Sequence, residues 1–254
     1  MAGTAMIVQP PPLEYAIPRA TGNGKTAFAV LASPEVQAFL AQPLAKAIQK
    51  IAHVPGMGSP ALRAPNARVE DFSDPNLPAL AEGMVRAIEE LHGIGLTACQ
   101  VGINVAVFAV DLGACVEIGR RRGGDSVCKK LTLDGRSLLR GASPGVALFF
   151  NPTMRCGGRE VRAEEGCLSI PSPTDPGKSL EVKLWRPSDA TLSYQDLAGA
   201  WHVLDADGWP ARCLQHEYDH VQGRLITDRD PRWRDRIFPL PGEGELASSE
   251  PDRR

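Results

Sequence analysis

The chain has 254 residues, of which 43% are hydrophobic and 23% charged, so it suits one substantial domain with extensions or at most two small domains. A formal net charge of −2 gives no global case for nucleic acid or an anionic membrane surface, and no apolar run approaches the ~18 residues of a membrane span. Six cysteines without a CxxC pair, and a Pro-rich start that makes a poor secretory signal, point to reduced thiols and a cytoplasmic location.

Residues 1–55 read as an N-terminal extension. Ser33 can cap and Pro34 open a helix over 33–52, with Val36, Phe39, Leu40, Leu44, Ile48 and Ile51 near one face and a kink at Pro43. Residues 53–60 form a linker. A second helix follows Asp74-Pro75: Leu77, Leu80, Ala81, Met84, Val85, Ile88 and Leu91 keep helical spacing, and Gly93 ends it. Residues 104–112 read as a buried strand and 145–152 as another, stopped by Asn151-Pro152. Between them, residues 113–144 are rich in Gly and Arg, with seven basic residues against three acidic, and read as a long surface loop or hairpin insertion. Residues 180–187 and 189–199 alternate like two strands with a turn between, and 199–208 adds a short strand and turn. Pro210 opens a last helix that Gly223 can stop, and the charged, Pro-rich tail over 229–254 reads as flexible. This order gives an α+β fold with mostly antiparallel sheet.

The last helix carries "QHEYDH" (215–220). On a helix Cys213, His216, Glu217 and His220 stand at i, i+3, i+4 and i+7 and share one face, next to the apolar stripe of Leu214, Tyr218 and Val221. Two readings stand. HExxH is the pattern in which two imidazoles bind a metal beside a glutamate base, but it also arises on solvated polar helices. A third ligand decides between them. Metallopeptidases with HExxH take theirs downstream, yet no histidine follows His220 and the later acids, such as Asp228 and Asp230, lie in the tail. Upstream, "EEGCLSIP" (164–171) holds Cys167 between Gly166 and Leu168. That cysteine is either a buried structural thiol or the thiolate of a Cys-His-His site with one position open for water. In "GIGLTACQVG" (93–102), close glycines allow backbone approach to a ligand, and Gln100 is either an amide donor at the start of a buried strand or a structural amide capping a turn.

Together and in this order, "GIGLTACQ", "EGCLS" and "QHEYDH" resemble the three signature motifs of peptide deformylases. The likeness covers roughly residues 58–228, including "GSPALRAPNARVEDF", Asn151-Pro152 and "LSYQDLAG". It implies an α+β catalytic domain over 56–228, interrupted by the 113–144 insertion, with antiparallel sheets around the helix bearing the histidines. It implies removal of the formyl group from N-formylmethionine of nascent polypeptides, with release of formate. Cys167, His216 and His220 would ligate one divalent metal, expected as Fe²⁺, although Zn²⁺ or Ni²⁺ suits the same donors. Glu217 would be the acid/base residue, with Gln100 and the N–H of Leu168 stabilising the oxyanion. Ile94, Gly95, Glu165, Gly166, Cys213 and the stem of Arg212 would line the substrate pocket. Expected partners are the formylated nascent peptide and, transiently, the ribosome, with no DNA and no membrane, for a chain acting as a monomer. An HExxH metallopeptidase is disfavoured by the missing downstream ligand. A non-catalytic binder of nascent chains or ribosomes would have no use for Glu217 and Gln100. The chain departs from the motif at Thr97, where Ala or Ser is usual, and in the length of 113–144. There Arg120-Arg121-Arg122 reads as part of a solvated loop, with ribosomal RNA contact as the alternative.

Overall fold

The computed structural model describes residues 59–229, apart from 141, 142 and 176; the expected helix at 33–52, the rest of the N-terminal extension and the tail from 230 lie outside these residues. Helix α1 (Pro60–Arg63) is a single turn with Pro in its first position. Helix α2 (Asn76–Glu90) begins where the Asp74 carboxylate accepts the Asn76 N–H at 2.8 Å, and it buries Leu77, Leu80, Met84, Ala87 and Ile88. Its end differs from expectation. The left-handed residue is His92 (φ 51°), while Gly93 only returns its N–H to the Ile88 carbonyl at 3.0 Å.

Seven strands follow: β1 (Gly95–Thr97), β2 (Val107–Asp111), β3 (Leu131–Leu133), β4 (Arg136–Ser137), β5 (Val146–Pro171), β6 (Ser179–Gln195) and β7 (Trp201–Asp207). They pair antiparallel in the order β1-β2-β5-β6-β7-β3-β4. Strand β6 corrects the expectation of two strands with a turn between. It runs unbroken through Pro187, which pairs with Glu160 beside a register shift, where the missing N–H costs least.

The stretch 113–144 also differs from a loop or simple hairpin. Helix α3 (Leu112–Arg122) opens where the Asp111 carboxylate accepts the Ala114 N–H at 2.8 Å. Only Leu112, Cys115 and Gly119 are buried, a stripe too thin to show through the basic excess. Arg122 lies 4.1 Å from the centre of the Trp209 ring, and Arg120 pairs with Glu117 at 2.6 Å. A small hairpin follows, in which Asp134 (φ 48°) and Gly135 (φ 79°) make the two-residue turn between β3 and β4.

Helix α4 (Gly208–Val221) carries the QHEYDH segment. Gly208 (φ 60°) is required at its entry, because a Cβ would come 2.7 Å from the Val127 carbonyl oxygen. All its residues except Gly208 and His216 are buried, so the helix is enclosed on nearly every side rather than two-faced. It touches β1, β2, β5, β6, β7 and α3. Alternate residues of β2 serve two cores: Val107 and Ala109 pack with α2, while Phe108 and Val110 pack with Phe149, Leu192, Leu204 and Leu214 around α4. Each fully buried phenylalanine there contributes about 1.5–3 kcal/mol.

Candidate metal centre

Strand β5 delivers Cys167 through an irregularity. Its pairing with β6 shifts between Gly166 and Pro171, so Cys167, Leu168, Ser169 and Ile170 leave the regular ladder opposite α4. His216 and His220, one turn apart on α4, face the same point. Their rings lie 5.1 Å apart at 67°, and the Cys167 Sγ stands 3.3 Å from His220 Nε2. Ligand atoms of the three residues lie within 4.8 Å of one another.

A buried charge network holds this cluster. Glu165 Oε1 accepts from Arg186 Nε and Arg212 Nη1, both at 2.6 Å, while Oε2 lies 2.9 Å from Arg186 Nη2 and 3.0 Å from His216 Nδ1. Arg186, with no exposed surface, also reaches Asp219 at 2.7 Å, and Arg229 grips both oxygens of that carboxylate. Burial pushes the Glu165 carboxyl up, but Arg186 and the His216 hydrogen bond hold it well below the usual carboxylate range. Burial likewise raises the Cys167 thiol, yet the two imidazoles, His220 foremost, bring it down to about 5. With Nδ1 of His216 directed at Glu165, its Nε2 remains for a ligand. A thiolate and two imidazoles, buried together, are the donor set of a borderline divalent ion, so the residues fit a metal.

Glu217 is buried, and burial raises its pKa against the opposing pull of His216 and His220. Its Oε2 accepts the Thr97 hydroxyl at 2.7 Å, so the threonine is accommodated without a clash and is bonded into the site. Gln100 stands on a 3₁₀ turn (Ala98–Val101), not at a strand start. Its amide is both a cap and a donor: Oε1 accepts the Thr97 N–H at 2.7 Å, while Nε2 lies 3.2 Å from Ser169 Oγ and 3.9 Å from Cys167 Sγ.

These groups border a cleft of about 180 Å³. Ile94, Gly95, Glu165, Gly166, Arg212 and Cys213 line it together with Gln100, Cys167, Leu168, His216 and Glu217; His220 is not at its wall. The Glu165 carboxylate is turned to Arg186, Arg212 and His216, and the Arg212 guanidinium to Glu165 and the Val161 carbonyl, so both offer the cleft mainly their stems. Gly93, one of the close glycines read as allowing approach to a ligand, also lines it, as do His92, Ser179 and Trp209, which were not anticipated. Trp209 had a signal, since the spacing that joins Cys213 to His216 and His220 extends one turn back to it. Ser179 had none, because only the pairing of β5 with β6 brings it there. Arg186 was legible too. It falls on the inward phase of β6 after Leu180, Val182 and Leu184, an arginine where an apolar residue belongs.

Comparison with known proteins gives one consistent result. The family model described as polypeptide deformylase matches residues 49–235. Peptide deformylase 2 of Streptomyces coelicolor is 35% identical over 173 residues, covering 68% of this chain and 79% of that protein. The peptide deformylase of Opitutus terrae is 34% identical over 178 residues, covering 67% and 80%. Among solved structures, the peptide deformylase of Thermotoga maritima aligns with a TM-score of 0.52 at 28% identity, over 71% of this chain and 98% of that one. Peptide deformylase 1B of Arabidopsis thaliana aligns with a TM-score of 0.53 at 28% identity, over 72% and 83%.

Proposed function

The chain belongs to the polypeptide deformylase family and removes the formyl group from nascent peptides; we propose that it does so with Glu217 as acid/base residue and Gln100 and Leu168 N–H as oxyanion donors. In this reading Cys167 on β5 and His216 and His220 on α4, the helix around which the sheet folds, hold one divalent ion, Fe²⁺ in the cell. When bound, the ion supplies Lewis acidity at the scissile carbonyl and makes water a nucleophile at neutral pH. Glu217 takes a proton from that water at its carboxylate and returns one to the leaving amine, so that formate and a free N-terminus result. Gln100 Nε2 and the Leu168 N–H donate to the oxygen on which negative charge develops; one such donor is worth about 3 kcal/mol. Arg186 and Glu165 keep His216 oriented.

Ile94, Gly95, Gly166, Cys213 and the stems of Glu165 and Arg212 accept the methionine side chain, and the peptide lies extended along the cleft edge. The catalytic unit spans 56–228. The same substrate implies a cytoplasmic monomer that meets the ribosome transiently.

One observation carries the reading: Glu217 and Gln100 line a single cleft together with Cys167 and His216, two of the three residues of the Cys-His-His cluster. The test is formate release from formyl-Met-Ala-Ser under anaerobic conditions with Fe²⁺ or Ni²⁺. The wild type is expected to turn over and Glu217→Ala to lose at least about 100-fold in kcat. A fully metal-loaded wild type that releases no formate would refute it.

A further inference from the structure

Glu217 and Gln100 meet at one residue. Thr97 is fully buried, and its N–H donates to Gln100 Oε1 at 2.7 Å. Its hydroxyl oxygen accepts the backbone N–H of Gln100, completing the capping box of the 3₁₀ turn. The hydroxyl has a single hydrogen to donate, and distance assigns it to the Glu217 carboxylate: Oε2 lies 2.7 Å away, nearer than the Glu217 carbonyl oxygen at 3.1 Å. On the other side of the carboxylate stands Gly95, two residues earlier on β1, where a Cβ would collide with Glu217 Oε1 and Cδ. Gly95 and Glu217 both line the cleft. β1 therefore anchors Oε2 by a hydrogen bond and, because Gly95 has no side chain, leaves the space that Oε1 occupies.

We propose that Thr97 is a positioning residue for deformylation: its hydroxyl fixes Glu217 Oε2 so that Oε1 is the oxygen presented to the cleft, and its peptide N–H sets the orientation in which Gln100 donates. An alanine would keep the second interaction and lose the first. The inference rests on the functional reading above and adds a residue to it. It also assigns the two oxygens of one carboxylate different duties, anchoring and proton handling.

A packing role is separable from a positioning one, because valine fills the space of threonine without its hydroxyl, while serine keeps the hydroxyl without the methyl. The wild type, Thr97→Val and Thr97→Ser, each loaded with Ni²⁺, would be compared for metal content, thermal midpoint, kcat and KM with formyl-Met-Ala-Ser, and by crystallography. Loss of a hydrogen bond to a charged group predicts that Thr97→Val lowers kcat about 10- to 100-fold with KM within about twofold and full metal content. Thr97→Ser should recover kcat to within about threefold, and the Glu217 carboxylate should leave its wild-type position in the valine crystal only. If Thr97→Val does not fold, Thr97→Ala carries the same expectation. Valine or alanine with wild-type kcat, or serine as impaired as valine, overturns the proposal. A wild type that releases no formate refutes the functional reading instead; the Thr97 claim is then judged by crystallography alone, and falls if the carboxylate of the valine variant has not moved.

Discussion

At the scale of single residues, the most demanding position is Arg186. Its guanidinium has no exposed surface and neutralises Glu165 and Asp219, two carboxylates buried almost as deeply. A buried ion pair adds little net stability over an apolar replacement of the whole set, but removing one partner strands the others. Arg186→Leu is expected to cost about 3–5 kcal/mol in urea denaturation, because both carboxylates lose their shared cation. A loss below about 1 kcal/mol would mean that Arg212 and Arg229 compensate. Residue chemistry was the most legible part of the sequence. The shared face of His216, Glu217 and His220 could be read directly, since it depends on residue type and helical period alone. Cys167 stayed open between a structural thiol and a ligand until the three motifs were taken together. The hydroxyl of Thr97 could not be read, since its partner lies 120 positions away and is met only through β1 against α4.

At the scale of elements, the β3–β4 hairpin is tied to β7 by His202. Its Nδ1 lies 2.7 Å from Asp134 and its Nε2 3.1 Å from Asp196. The hydrogen bond to Asp134, then that to Asp196, raises the His202 pKa against the opposing effect of burial. A histidine whose folded pKa is raised stabilises fully below its unfolded value of about 6.5, and that stability is lost as pH rises through the folded value. Asp134 and Asp196 are shifted downward, so their contribution fades only in acid. The stability difference between wild type and His202→Gln is therefore expected to be largest near pH 5–6 and to shrink toward pH 9, read from urea midpoints. A difference independent of pH would refute the pairing.

Elements were legible where period and composition agreed, as in α2 and α4. They were hidden where the two conflicted: α3 buries only three residues under a run of arginines, and Pro187 looked like a break because a register shift cannot be seen in one strand alone.

For the molecule as a whole, the proposed ligands come from two elements already held in place by apolar cores, Cys167 on β5 and the histidines on α4. The fold should therefore outlast loss of the ion. Chelation is expected to lower the stability by the free energy of binding, about 2.7 kcal/mol when the free metal stands at a hundred times its Kd, and the thermal midpoint with it, while far-ultraviolet circular dichroism stays unchanged. In Cys167→Ala the chelator should have no such effect. An apo chain that loses its circular dichroism would show instead that the metal is part of the fold.

The enclosure of α4 also bears on how the chain is made. Synthesis runs from the N-terminus at about 5–20 residues per second, and among the described residues every strand precedes this helix. Until Val221 has left the ribosome, Phe108, Phe149, Leu192 and Leu204 lack the cover that Trp209, Leu214, Tyr218 and Val221 of α4 give them. For that interval the growing chain displays the sticky interior of a finished protein, and protease sensitivity of a chain cut before Gly208 would measure it. The segment that brings the chemistry is also the plug that ends this exposure, so catalytic competence and safety from aggregation arrive in the same moment of translation.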